Sequence, residues 1–296
     1  MDILDRLIQI SQVEGSIYPH CRFEGDWLLA HQPTENEHKG VFHIILQGHC
    51  VCHIGEQAFE LVQGDILFFP RGNAHSLNGI SSSVKPSSFA LQEKLSNQTY
   101  QNAQTDMFCG HFYYSKQATL IETLPDMIHL SMRHSPLEQL MSLLEVESVQ
   151  SDFGSQSIIN SLSNVLFAYI LRTYMAQHHS HQGILNALRD KRLLNVITAL
   201  LKSPEQHWNM DKLAELACMS RANFIRVFQQ QVGIAPGKLL VNLRMQQAAM
   251  LLAKTQKTIL AVALEIGYQS ESHFSKAFKK IYGFPPSVYR KTVNQV

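Results

Sequence analysis

The chain has 296 residues, 45% hydrophobic and 17% charged, enough apolar material for one or two folded cores and too much for wholesale disorder. No apolar run approaches the roughly 18 residues of a membrane span. The opening MDILDRLIQI lacks a signal peptide's basic start and cleavage site, and five cysteines are an odd count for a secreted disulfide scaffold, so a cytoplasmic location with no membrane partner is expected. The formal charge of +1 conceals a division: residues 184–296 hold 16 Lys and Arg against six Asp and Glu, whereas residues 1–183 hold nine against 18. A basic end on an acidic remainder points to a polyanion as its partner, with RNA, DNA and anionic membrane all open on charge alone.

Residues 17–80 read as strands, with short apolar runs (WLLA, VFHIIL, CVCHI, AFELV, DILFFP) broken by Gly, Pro and charged residues. Residues 81–106, rich in Ser, Gln and Asn, read as a long surface loop, and strand character returns at Met107–Tyr114. From Pro136 the period becomes helical: Leu137, Leu140, Met141 and Leu144 share one face, and Ile158, Leu162, Val165, Leu166, Tyr169 and Ile170 share another in a helix from Ser155 to about Gln177. The polar tract at 178–183 reads as a linker rather than a metal site, since no Cys or acid lies beside its histidines.

Beyond the linker the sequence repeats itself at an offset of 50. Glu215, Ser220, Phe224, Phe228, Gly233 and Pro236 match Glu265, Ser270, Phe274, Phe278, Gly283 and Pro286. Each unit is a helix, a short turn opening on a serine suited to cap the next helix, a helix anchored by Phe at i and i+4, and a Gly and Pro that stop it. This is helix-turn-helix grammar. The segments MSRANFIRVFQQQVGIAPGKLL and EIGYQSESHFSKAFKKIYGFPPSVYR resemble the AraC/XylS family of transcription regulators, which carry two such units joined by a helix, here Lys238 to about Lys254. With the Phe pairs inward, the first reading helix presents Ala222, Ile225, Arg226 and Gln229, and the second Ser272, Ser275, Lys276 and Lys279. Arg226 suits guanine and Ala222 and Ile225 suit thymine methyls, while Arg221, Asn223, His273 and Lys279 suit phosphates. Cys218 reads as a small core residue.

In the acidic part, Gly64, Pro70, Gly72 and His75 form G-x5-P-x-G-x2-H, which resembles the second motif of the cupin barrels. In metal-binding cupins that histidine is a ligand. The first cupin motif is not reproduced: with Gly48 as its closing glycine, Val41 occupies the glutamate position. His43 shares strand parity with Val41, so His43 and His75 are expected to face the interior, as effector-contacting histidines or as two ligands of an incomplete metal site. GSQSIINSLSNVLFAYILRTYMAQ, ALRDKRLLNVITALL and HWNMDKLAELACMSRANF extend the likeness to cupin-type AraC regulators along nearly the whole chain. Within these, the chain looks most like the regulators that respond to reactive chlorine species, whose cysteine chemistry drives activation. That resemblance implies a redox pair at Cys21 and Cys109, with inert buried thiols as the alternative. Cys50 and Cys52 share a strand face from which strand alternation separates His49 and His53.

The expectation is therefore an α+β protein with a cupin-like sensor and dimerisation barrel with helices at 1–183 and an all-α double helix-turn-helix domain at 184–296. It would be a non-enzymatic homodimer that binds promoter DNA and, as an activator, RNA polymerase, controlled through cysteine oxidation. No cofactor is required, and a barrel metal stays open. A small-molecule- or metal-responsive regulator and a cupin enzyme fused to a DNA-binding domain are the alternatives.

Overall fold

Asp2 accepts from the Asp5 backbone N–H and the Asp5 carboxylate accepts from that of Asp2, a reciprocal cap that starts α1 (Ile3–Ser11). The computed structural model describes residues 2–33, 38–79, 103–150, 152–177 and 182–293. The loop expected from 81 is therefore described only from residue 103, and the histidines at 178, 179 and 181 lie outside the described residues.

After α1 come β1 (Glu14–Phe23), β2 (Leu28–His31), β3 (Lys39–Gln47), β4 (His49–Ile54), β5 (Gln57–Val62), β6 (Asp65–Phe69), β7 (His75–Asn78), β8 (Thr105–Tyr113), a short helix α2 (Thr119–Glu122) and β9 (Ile128–Ser131). The strands form two antiparallel sheets, ordered β1-β8-β3-β6-β9 and β2-β7-β4-β5. Strand β3 is apolar on both faces because both are covered. His43 and Ile45 point with Leu67, Phe69, Met107 and Cys109 toward the core shared with Cys50, Cys52, Leu61 and Leu77 of the second sheet. Phe42, Phe68 and Phe112 point the other way, and the last two meet Phe167 edge-on, at ring distances of 6.1 and 5.0 Å. Gly110 has no room for a side chain, since a Cβ there would strike the Phe42 ring and the Ser16 carbonyl.

Two helices pack with these sheets, α3 (Leu137–Gln150) and α4 (Ser155–Gln177). The buried face of α4 runs through Ser155, Ile159, Ser163, Leu166, Phe167, Ile170, Leu171 and Tyr174, so the face expected from sequence is rotated. Ile158 and Val165 are exposed at 41% and 42%. The cause is close packing at two small residues, where Gly15 of β1 lies against Ser163 and its N–H donates to Asn164 Oδ1.

The remaining helices are α5 (Ile184–Ala187), α6 (Lys191–Lys202), α7 (Met210–Leu216), α8 (Arg221–Val232), α9 (Pro236–Lys254), α10 (Ile259–Glu265), α11 (Glu271–Tyr282) and α12 (Pro286–Val293). Contacts divide the chain into two compact units. One comprises Val13–Tyr113 and Asp126–Gln177; the other joins Met1–Gln12 and Tyr114–Pro125 to His178–Val296. The segments holding α1 and α2 thus belong with the C-terminal helices, and β8 leads first into that unit rather than directly into α3. Among the described residues no helix is long and apolar enough to cross a membrane.

Candidate functional site

Two sites carry chemistry. The first is the surface of α8 and α11. Phe224, Phe228 and Val232 are buried on α8, and Phe274, Phe278 and Tyr282 on α11, so the two helices repeat one burial pattern at an offset of 50. Arg221, Ala222, Asn223, Arg226 and Gln229 are exposed and Ile225 is partly so; Ser272, His273, Lys276 and Lys279 are exposed and Ser275 is partly so. Arg226 donates to two neighbours on its own helix, Asn223 Oδ1 at 2.9 Å and Gln230 Oε1 at 3.4 Å. Arg221 pairs with Asp211 at 3.5 Å.

The turns before these helices differ. The caps Asn209 and Thr258, the buried pairs Leu213–Ala214 and Val262–Ala263, and the left-handed Cys218 and Gly267 correspond at an offset of 49, not 50. The second turn is one residue longer, so the Glu215–Glu265 match is a coincidence of sequence, and Leu216 is the counterpart of Glu265. Ser270 caps α11 by accepting from the His273 N–H, whereas Ser220 occupies the cap position of α8 without a side-chain bond. Cys218 is exposed rather than in the core, because the turn needs a left-handed residue there (φ 51°) and that conformation points its side chain outward.

The second site lies in the barrel core. Strands β1 and β8 pair with Tyr18 opposite Cys109 and Cys21 opposite Met107, and a bulge between Tyr18 and Cys21 shifts the register. Cys21 and Cys109 are buried free thiols in one core cluster. Cys50 and Cys52 face the same core, where burial, helped by Asp65 for Cys50 and by Cys50 for Cys52, pushes each thiol up to about 12. The hydrogen bond to Cys21, then burial, hold Cys109 well above its ordinary value. His49 is exposed and His53 half-buried, away from these thiols.

His43 and His75 are buried and meet directly, Nε2 to Nε2 at 2.8 Å. His43 Nδ1 lies 3.3 Å from Cys109 Sγ, and His75 Nδ1 lies 2.7 Å from the Asn73 carbonyl oxygen. Phe69 stacks on His75 at 3.8 Å. Burial, and less strongly the charges of His75, His31 and His111, press the His43 pKa well below its ordinary value. Burial presses His75 to about 4, against the raising effect of the Asn73 bond. Both imidazoles are neutral near pH 7. His31, opposite His75 in the β2–β7 ladder, and His111 on β8 complete a four-histidine surround that sequence reasoning missed; the parity of His111 with Cys109 was its one visible signal. The metal that a cupin would hold does not fit the pair as placed. Each Nε2 occupies the position a shared ion would need, and among the described residues no group of three or more ligating side chains stands ready.

Residues 2–176 match the cupin family model and residues 213–292 a helix-turn-helix domain model. An uncharacterized HTH-type transcriptional regulator of Haemophilus influenzae is 43% identical, covering 99% of this chain and 100% of its own length. The HTH-type transcriptional regulator MtrA of Neisseria gonorrhoeae is 37% identical over the full length of both chains. The RCS-specific HTH-type transcriptional activator RclR of Escherichia coli is 28% identical, covering 100% of this chain and 99% of its own.

Proposed function

This chain belongs to the AraC-type transcription regulators that carry an N-terminal cupin domain, and from that premise we propose that oxidation of Cys21 and Cys109 by reactive chlorine or oxygen species sets its output at promoters. It is a DNA-binding regulator. In this reading residues 1–183 sense and dimerise, residues 184–296 bind DNA, and the protein works as a cytoplasmic, non-enzymatic activator that contacts RNA polymerase. The placement of the Cys21 and Cys109 thiols in one buried core cluster on paired strands carries the reading. In a reducing compartment a disulfide formed there is a switch rather than a staple, and a redox switch requires a second cysteine close enough to resolve the first. The RCS-specific name of the Escherichia coli relative points the same way. For dimerisation the supporting observation is a run of exposed apolar side chains on α3, the turn after it and the start of α4, namely Leu143, Val146, Val149, Phe153 and Ile158.

On DNA, α8 is the reading helix, through Arg226 with Ala222, Ile225 and Gln229. The α11 residues Ser272, Ser275, Lys276 and Lys279 lie in the next major-groove segment, and Arg221, Asn223 and His273 hold phosphates. The test is promoter output in cells given hypochlorite. Wild type changes its output, and Cys21→Ser and Cys109→Ser each abolish the change. An oxidant response that survives in both variants removes the cysteines from the mechanism and moves the search to effectors of the His43–His75 pair.

A further inference from the structure

The buried contacts from Asn73 to Cys109 form a chain in which every proton has one place to be. The Asn73 carbonyl can only accept, so His75 carries its proton on Nδ1 and leaves Nε2 bare. Being neutral, His43 must then be the donor across the 2.8 Å contact, with its proton on Nε2 and a bare Nδ1. That bare nitrogen faces Cys109 Sγ at 3.3 Å, where the thiol donates to it. The carbonyl of one loop residue thereby sets the direction of three hydrogen bonds in succession.

Building on the redox reading above, we propose that His43 is the base that takes the Cys109 proton as Cys109 closes the disulfide onto oxidised Cys21, and that His75 is the positioning residue that keeps His43 in its accepting tautomer. With hypochlorous acid as oxidant the steps balance. The Cys21 thiol is oxidised to the sulfenyl chloride and water is released. The Cys109 sulfur then bonds to the Cys21 sulfur, the S–Cl bond breaks, chloride leaves with the electron pair, and the Cys109 proton passes to His43 Nδ1. Two thiols have lost two electrons, and chlorine has gained them. The surround explains why a built-in base is needed. The Cys21 bond, burial, and the nearby Cys50 and Asp106 all hold the Cys109 proton in place at rest, so bulk solvent is a poor acceptor for it. His43 in turn faces His75, His31 and His111, which with burial keep it neutral and able to accept. Once protonated, it donates a charge-assisted bond through Nε2 to His75.

The experiment mixes the full-length reduced protein with one equivalent of hypochlorite, quenches with an alkylating agent, and follows two events by mass spectrometry: loss of the Cys21 thiol and appearance of the Cys21–Cys109 crosslink. In wild type, crosslinking after the first event is expected to be flat between about pH 6 and about pH 9, because the base is internal. In His43→Gln it should slow by about 100-fold and rise about tenfold per pH unit, while loss of the Cys21 thiol keeps its rate. His75→Gln leaves His43 beside the sulfur but removes its lock, and it should slow the second event alone. Crosslinking in His43→Gln at the wild-type rate overturns the inference. So does a wild-type rate that itself climbs tenfold per pH unit, a result that needs no variant to fold. One metal ion per chain in the purified protein, lost in His43→Gln, also overturns it, since the two Nε2 atoms would then be ligands. A wild-type protein that forms no Cys21–Cys109 crosslink takes down the redox reading itself, and is distinct from crosslinking that proceeds without His43.

Discussion

Arg226→Ala tests the DNA-reading surface at its most specific point. In the free protein the guanidinium is exposed and tethered by two neutral side-chain acceptors, Asn223 Oδ1 and Gln230 Oε1. Those bonds are worth little in water, on the order of 0.5 kcal/mol each at such a site, so they are readily given up for a base. A bidentate contact to guanine contributes about 1–3 kcal/mol of discrimination, so the substitution should cost about 5- to 150-fold in affinity for a selected site. Its effect on scrambled DNA should be the smaller one, a single lost charge. The natural contrast is Lys279, exposed on α11 at the position of Gln229 on α8. Lys279→Ala should weaken all sequences alike and lower the slope of log affinity against log salt by about 0.9. Fluorescence anisotropy on a duplex selected from a random pool, against a scrambled duplex at several salt concentrations, separates the two behaviours. Equal losses on both duplexes for Arg226→Ala would refute the assignment of α8 as the reading helix.

Two further outcomes are expected. His75 has a pKa of about 4 when folded against 6.5 ordinarily, so between those values the unfolded chain binds the extra proton and stability falls as pH falls. The full effect is about 3 kcal/mol, with His43 acting in the same direction. Urea unfolding followed by Trp27 fluorescence in a Trp208→Phe background should show its midpoint dropping across that window, and a midpoint constant from about pH 7 to about pH 4 would contradict it. Val149 is 69% exposed on α3, and Val149→Glu on the proposed dimer face should weaken self-association at least tenfold in sedimentation, at a cost of about 1.4 kcal/mol. An unchanged dimer would place the interface elsewhere.

What the sequence made legible follows from which patterns are local. The Phe224–Phe228 and Phe274–Phe278 pairs lie one helical turn apart, and burial follows them directly. The one-residue slip between α7 and α10 was hidden because a chance Glu match bridged it. In α4 the apolar residues lie on more than one face, and periodicity could not say which face the strand takes; the small Ser163 against Gly15 decides it. His43 and His75 were readable from parity and motif. His31 was not, because its neighbour across the ladder depends on β2–β7 register, and register is a property of two strands that one strand's pattern leaves open.

In the proposed reading, the strands that hold the thiols lead by chain connection into the unit that contains α8 and α11. Glu14 and Tyr113 face each other at one end of the β1–β8 ladder that holds Cys21 and Cys109. From that end the chain runs back into α1 and forward into Tyr114–Pro125, and both segments belong to the unit of the reading helices. There the Ser115 N–H donates to the Ser11 carbonyl at 2.9 Å, tying the two segments together. The Tyr114–Pro125 segment is fastened to α9 and α11. Asn242 donates to Glu122 Oε2 at 3.3 Å, Gln246 donates to the Gln117 carbonyl, and the Tyr282 hydroxyl donates to the Lys116 carbonyl at 3.4 Å. Asn242 and Gln246 are buried in the one helix that joins the two helix-turn-helix units. Losing the partner of either amide costs about 1–3 kcal/mol, the same size as a typical coupling energy between two sites. If the proposed disulfide forms, any change of register it forces on β1 and β8 would work against fastenings of comparable strength in the segment that follows β8.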